Sequence, residues 1–206
     1  MSTIVEPLGA LHRPDRTTTV RAPADPVQTD RLSGLLDLVF RSRMAAPVWL
    51  VVRVWLGYEW LSAGMEKLYA HGAASWFGHA PALAGFVHGA DAAWANRAKA
   101  FGHPAVHYAW FLNFLHFVAG HGALFGPLVV FSEILIGVGL ITGTCTRWAA
   151  IGAVALNLMY ICGGSAGVNG VFLVAEVLLI GAWRVAGHFG GDGLIRNLRH
   201  GQLQYK

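Results

Sequence analysis

Long apolar runs begin at Pro47 and recur to Trp183, whereas residues 1–46 are polar, basic and sprinkled with proline. The first run, Pro47 to Tyr69, is long enough at 1.5 Å per residue to cross a bilayer with some tilt. The stretch that follows interleaves Gly, His, Ala and aromatic residues, with Arg97 and Lys99 as its basic residues. That mixture predicts an extracytoplasmic segment with short interfacial helices. From Trp110 to Gly143 the chain is predominantly apolar and too long for one span. Gly120, Gly122, Gly126 and Pro127 offer a break. The pattern therefore predicts an interfacial helix ending near Val118 and a second span over 122–142. A third span is expected over 147–162 and a fourth over 168–183.

Upstream of the first span, residues 30–44 set Leu32, Leu35, Leu36, Val39 and Phe40 on one helical face and Arg31, Asp37 and Arg41 elsewhere. That spacing predicts an amphipathic helix lying on the membrane surface, capped by Thr29 or Asp30. The expected fold is an all-α membrane protein, an antiparallel four-transmembrane-helix bundle with interfacial helices in its first outer loop. Its parts are a tail at 1–46, a membrane domain at 47–186 and a C-terminal tail at 187–206.

Charge adds orientation. Of 206 residues, 13% are charged, about half the share usual in a soluble domain. Six arginines precede residue 46, and Arg147, Arg184, Arg196, Arg199 and Lys206 follow the second and fourth spans. Lys67, Arg97 and Lys99 are the basic residues of the other side, and the loop at 163–167 carries no charge. The positive-inside rule then places both termini in the cytoplasm of a cell-membrane protein. No signal peptide is expected, because the first apolar run begins after 46 residues. Membrane lipid is the expected partner, and nothing suggests nucleic acid; the basic character comes from the inner-face arginines.

Charged side chains inside a bilayer are costly and face the bundle or a cavity. Here they are Arg53, Glu59, Glu133 and Glu176, joined by the polar Asn157. Counted from the cytoplasmic end, Arg53 falls at about 9 Å, Glu176 at about 11 Å, Glu133 and Asn157 at about 14 Å and Glu59 at about 18 Å. These depths predict one polar layer across all four helices. The plainer reading is that Arg53 neutralises a glutamate and glues the bundle. One arginine against three glutamates leaves two acids that must be protonated, hydrogen-bonded or hydrated. A carboxylic acid that exchanges protons suits quinone reduction, in which two protons accompany two electrons. Glu176 fits either role.

Seven of the ten histidines lie in the outer segment, and His103 and His107 have a spacing that suits a metal on a helix. Pro104 disfavours a helix through that pair, so no metal site is expected. Cys145 and Cys162 fall at opposite ends of one predicted helix, about 25 Å apart and beyond disulfide reach. Gly137-x-Gly139-x-x-x-Gly143 lies within an apolar span and reads as helix packing rather than a nucleotide loop, as do Gly57 and Gly64.

Arg53-Val-Trp-Leu-Gly57-Tyr-Glu59-Trp-Leu-Ser-Ala-Gly64-Met-Glu-Lys67-Leu resembles the first helix of the DoxX/DoxD-like membrane family. The resemblance continues through Gly85-Phe-Val-His-Gly-Ala, His103-Pro, Trp110-Phe-Leu-Asn113 and Leu124-Phe-Gly-Pro-Leu-Val. It then runs through Glu133-Ile-Leu-Ile-Gly137, Thr146-Arg147, Asn157 and Gly164-Ser-Ala-Gly-Val-Asn169. That family includes the DoxD subunit of thiosulfate dehydrogenase (quinone). The resemblance implies thiosulfate oxidation coupled to reduction of a quinone as electron acceptor, with Arg53, Glu59, Lys67, Glu133, Asn157 and Asn169 as site residues. In this picture Arg53, Glu59 and Glu133 are catalytic. Trp60, Lys67, Asn157 and Asn169 bind substrate or quinone, Lys67 (with Arg97) draws in the anion, and Trp55, Trp60 and Trp110 line the quinone slot. The enzyme resembled uses a second, non-DoxD subunit, which implies an oxidoreductase partner. Two departures stand out: Glu176 replaces a usual aliphatic residue, and Gly190-Gly-Asp192-Gly replaces the common Gly-Leu-Asp. A membrane anchor or assembly factor for an external redox protein, or a small-solute carrier working as a homo-oligomer, are the rival readings.

Overall fold

The computed structural model describes residues 26–69, 72–96 and 106–203. Among these residues the regular elements are all helical. The chain forms α1 (Pro26–Phe40), α2 (Ala46–Leu68), α3 (Gly72–Trp76), α4 (Pro81–Ala95), α5 (Ala109–Gly120), α6 (Gly122–Thr142), α7 (Thr146–Cys162), α8 (Asn169–Ala186) and α9 (Gly191–Leu203). Arg97, Lys99, His71 and the His103-Pro104 pair lie outside the described residues.

Two helices are long and apolar enough to cross a membrane, α6 and the stretch Asn169–Phe189 that contains α8. Their outward faces agree with a lipid environment. Leu124, Leu128, Phe131 and Leu135 are exposed along α6, as are Val171, Val174 and Val177 along α8, with Leu135 at 70%. So much contiguous apolar surface is unsuited to water.

α2 pairs most extensively with α6, and small residues set the approach. A Cβ on Gly137 would lie 2.6 Å from the Leu61 nitrogen, and one on Gly57 would lie 2.9 Å from that of Ile141. Only glycine lets the two backbones come this near. Gly57 facing Ile141 and Gly64 facing Ile134 also show that α2 and α6 run in opposite directions. α7 packs on both α6 and α8, and the main core joins Trp49, Leu56, Trp60, Ile136, Leu140, Ala153 and Leu179. α3 and α4 cap one end through a smaller cluster of Ala80, Leu83 and Val118.

The surface helices differ from expectation. α1 begins at Pro26 rather than near residue 30 and ends at Phe40, so Thr29 and Asp30 lie inside it. Pro26 starts it because the first turn needs no proline N–H. The Ser42 side chain instead accepts from the Met44 N–H at 3.2 Å, starting a short 3₁₀ turn before α2. Leu32, Leu35 and Leu36 remain exposed on α1. The C-terminal tail is not simply a tail, since α9 carries exposed Leu194, Ile195 and Leu198. Cys145 and Cys162 are both free thiols.

Candidate functional site

Two separate polar clusters take the place of one mid-membrane layer. The first surrounds Arg53. Its Nη2 donates to the Phe189 carbonyl at 3.0 Å, across from α2 to the turn after α8. The guanidinium lies against Gly143, whose φ of +67° closes α6 in the left-handed conformation that glycine adopts without strain. A Cβ there would collide with Arg53 Nη1. Beside it, Asp192 Oδ1 and Oδ2 accept from the Cys145 and Thr146 N–H groups, each at 2.8 Å. These bonds satisfy the open N-terminus of α7. The Asp192 N–H also donates to the Gly143 carbonyl at 2.8 Å. The sequence Gly190-Gly-Asp192-Gly thus ties the chain after α8 to the α6–α7 turn. Arg53 is part of that tie and touches none of the three glutamates, which corrects its expected place beside Glu59 and Glu133. The error is one of register: Gly57 already faces Ile141 near the end of α6, so Arg53, one turn earlier on α2, lies level with that end and not with the middle of α6.

The second cluster lines a cavity of about 490 Å³ at the other end of the same helices. Glu59, Trp60, Ala63 and Lys67 of α2 form one wall. Glu133 of α6 and Asn157 and Tyr160 of α7 form the floor and opposite side. Asn169 and Phe172 of α8, Ser165, and Trp76 and Phe86 of α3 and α4 complete it. The sequence-derived residues Glu59, Glu133, Trp60, Lys67, Asn157 and Asn169 therefore share one cavity, without Arg53. Of the three tryptophans expected in the slot only Trp60 lines it. Trp55 packs edge-on to Phe172 at 5.3 Å, and Trp110 is exposed on α5.

Lys67 is not a free cation at the rim. Its side chain bends back one turn, with Nζ 3.4 Å from the Ala63 carbonyl and 2.9 and 2.8 Å from Glu133 Oε1 and Oε2. The Tyr160 hydroxyl donates to Glu133 Oε1 at 2.6 Å. Lys67 Nζ also lies 5.2 Å from the centre of the Trp76 ring, a favourable cation–π distance. Behind this wall, Glu176 is fully buried and accepts from Trp60 Nε1 at 2.8 Å. Asn157 Nδ2 donates to the same carboxylate, 2.8 and 2.7 Å from Oε1 and Oε2. Glu176, which on its sequence fits either role, is here a positioning residue, and Tyr160 is the cavity residue that the sequence reading did not include. Tyr160 lies three residues beyond Asn157 on α7, so helical periodicity points both to one face. Glu59 is half-buried, and its carboxylate has no ion-pair or hydrogen-bond partner among the described residues. Asn169 Nδ2 donates to the Ser165 carbonyl at 2.7 Å and holds the α7–α8 loop against the cavity.

Chemically the cavity joins aromatic walls (Trp60, Trp76, Phe86, Tyr160 and Phe172) to a few fixed polar groups, the composition of a small-molecule site. Its ion pair and buried network surround a volume large enough for a flat ring. The DoxX family model matches residues 48–164, from the first turn of α2 to just past the end of α7. This chain belongs to the DoxX family. No curated protein matches it, and no solved structure matches it. Family membership and the two apolar helices make it a DoxX membrane protein whose outer faces meet lipid. The matched region contains every cavity residue of α2, α6 and α7, whereas α8, with Glu176, lies beyond it.

Proposed function

We propose that this DoxX protein is the quinone-reactive membrane subunit of an oxidoreductase, with thiosulfate oxidation as the source of electrons. In this reading α2, α6, α7 and α8 all cross the cell membrane as an antiparallel bundle with both termini cytoplasmic. The supporting observation is the cavity itself, an aromatic slot whose polar corner is the Lys67–Glu133–Tyr160 chain. A quinone ring lies between Trp60 and the aromatic side chains opposite. Glu133, joined to Tyr160, and Glu59, without a partner among the described residues, serve as the carboxyl groups through which two protons reach the ring.

The charge of Lys67 is already balanced by Glu133, and Glu59 adds a formal negative charge. A thiosulfate dianion is therefore poorly matched to this cavity. That favours oxidation of the sulfur compound on a partner subunit, with this chain supplying the quinone site, over a single-chain enzyme drawing the anion in through Lys67. The same observation favours, as the second reading, a membrane anchor for an extracytoplasmic redox protein.

The test uses purified protein in detergent, with thiosulfate and a soluble quinone, with and without its co-purifying partner. Quinone reduction that requires this chain, and that falls sharply in Glu59→Gln and Glu133→Gln without loss of membrane insertion, is the expected result. No quinone reduction under either condition refutes the reading, and wild-type rates in both variants refute the proton role of the glutamates.

A further inference from the structure

Three arginines meet where α8 ends. Arg147, in the first turn of α7, sets its guanidinium carbon 5.8 Å from the centre of the Trp183 ring. Arg184, in the last turn of α8, sets its own 5.3 Å from the same ring. Arg196 of α9 folds onto this corner, with Nη1 and Nη2 each 3.3 Å from the Arg184 carbonyl. The ion pairs among the described residues are Arg41–Asp37, Lys67–Glu133 and His116–Asp91, so none of the three has a carboxylate partner there. Asp192, at the start of α9, is spent on the Cys145 and Thr146 N–H groups. Two cations drawn to one ring repel each other, and Arg147 lies at the end of α7 where the helix dipole disfavours a cation. An anion seated between the guanidiniums removes both costs.

The position of the corner says which anion. The apolar stretch Asn169–Phe189 ends beside Arg184, and Trp148, next to Arg147, is 70% exposed. α9 presents Leu194, Ile195 and Leu198 on one exposed face, while Asp192 and Arg196 fasten it to the ends of α7 and α8. A helix of this kind lies in the membrane interface with its apolar side chains among the acyl chains. The arginines then stand at the level of the lipid phosphates. We propose that Arg147 and Arg184, gathered on Trp183, form with Arg196 a binding site for the headgroup of an anionic phospholipid. The planar guanidinium forks match phosphate oxygens in pairs, and Trp183 holds two of them ready. The bound headgroup joins the ends of α7, α8 and α9. The site lies apart from the aromatic cavity and does not depend on what that cavity binds.

The experiment takes the full chain by native mass spectrometry from mixed micelles holding equal amounts of phosphatidylglycerol and phosphatidylcholine, and counts each lipid retained. Phosphatidylglycerol is expected to be favoured about tenfold or more, since each arginine near the phosphates contributes several-fold. Arg147→Gln combined with Arg184→Gln is expected to reduce that preference to about twofold or less, with helix content by circular dichroism unchanged. Arg41→Gln combined with Arg43→Gln removes the same charge from outside the corner and is expected to leave the preference within about twofold of wild type. If the first double variant does not fold, each of its single variants is expected to lower the preference about threefold. Equal retention of the two lipids, an unchanged preference in the folded Arg147 and Arg184 variants, or the same loss in both double variants overturns the site. Inorganic phosphate added at the lipid concentration is expected to displace no phosphatidylglycerol; displacement assigns the corner to free phosphate and overturns the lipid.

Discussion

Lys67 Nζ reaches both carboxylate oxygens of Glu133, at 2.9 and 2.8 Å, from a residue one helical turn past the level at which α2 and α6 meet. Gly64 is the α2 residue that faces Ile134, so Lys67 must fold back along its own helix to reach Glu133. The carboxylate is 1% exposed and the lysine 19%, so the pair is largely dehydrated and each charge depends on the other.

Removing one partner should therefore cost more than removing both. Lys67→Met strands Glu133 and is expected to destabilise the protein by about 3 kcal/mol, the lower part of the range for a broken buried pair because Lys67 keeps some solvent. Lys67→Met combined with Glu133→Leu is expected to recover most of that loss. Unfolding of the detergent-solubilised proteins measures both, and a double variant no better than the single one would count against the pairing.

Tyr160→Phe deletes one hydroxyl and leaves the ring stack on Trp60, whose centroid lies 6.5 Å away. The bond lost is 2.6 Å long and ends on a carboxylate. A stability loss of about 1.5–3 kcal/mol is expected from a charge-assisted bond. Quinone reduction should slow as well, and a steady-state rate equal to wild type would separate Tyr160 from the proton path.

Arg53→Met should loosen the C-terminal tie without touching the cavity. The expected outcome is faster proteolysis within α9, with ligand affinity in the cavity held within about twofold, since distant sites couple weakly. A large loss of affinity would return Arg53 to the site. Asp192→Ala opens the α7 N-terminus at Cys145 and Thr146 and is expected to cost about 1–2 kcal/mol, as lost N-terminal caps do.

Gly137→Ala tests the close approach of α2 and α6. Its Cβ would sit 2.6 Å from the Leu61 nitrogen, a backbone atom with no freedom to move aside, so a loss of about 1–3 kcal/mol is expected. Gly85→Ala in α4 is the control. Its Cβ would meet nothing within 4 Å, so helix propensity predicts a gain of up to about 1 kcal/mol. Similar melting shifts in the two variants would argue against glycine-set packing.

Helical character, the break between α5 and α6 and the candidate polar residues were all legible in the chain. Apolar runs dictate helices because a backbone away from water satisfies its own hydrogen bonds most simply that way. The break was placed among Gly120, Gly122, Gly126 and Pro127, and the chain turns at His121. Gly122, Gly126 and Pro127 continue inside α6. Proline is tolerated there because it lies in the second turn, near the helix start, where little of the hydrogen-bond ladder is lost. α1 starts four residues earlier than the spacing of its leucines predicts, at Pro26, a residue suited to a first helical turn.

The grouping of the polar residues was only partly legible. Counting 1.5 Å per residue locates a Cα along its own helix, but says nothing of register between helices or of how far a side chain reaches. Lys67 looks peripheral on that count and is central to the Glu133 network, because its flexible stem spans a full turn. Arg53 looks central and lies at the far end, because α2 is offset along α6 so that Gly57 already faces Ile141.

What the sequence by itself determined is the inventory: helices with lipid-suited faces, glycines where helices touch, and a short set of charged and amide groups too costly to bury without purpose. Pairing was decided by the tertiary structure alone. Hydrogen bonds and ion pairs form over about 3 Å, a tolerance far finer than the pitch of a helix. Only packed register could give Glu133 to Lys67 and Tyr160, give Glu176 to Trp60 and Asn157, and leave Glu59 facing the cavity.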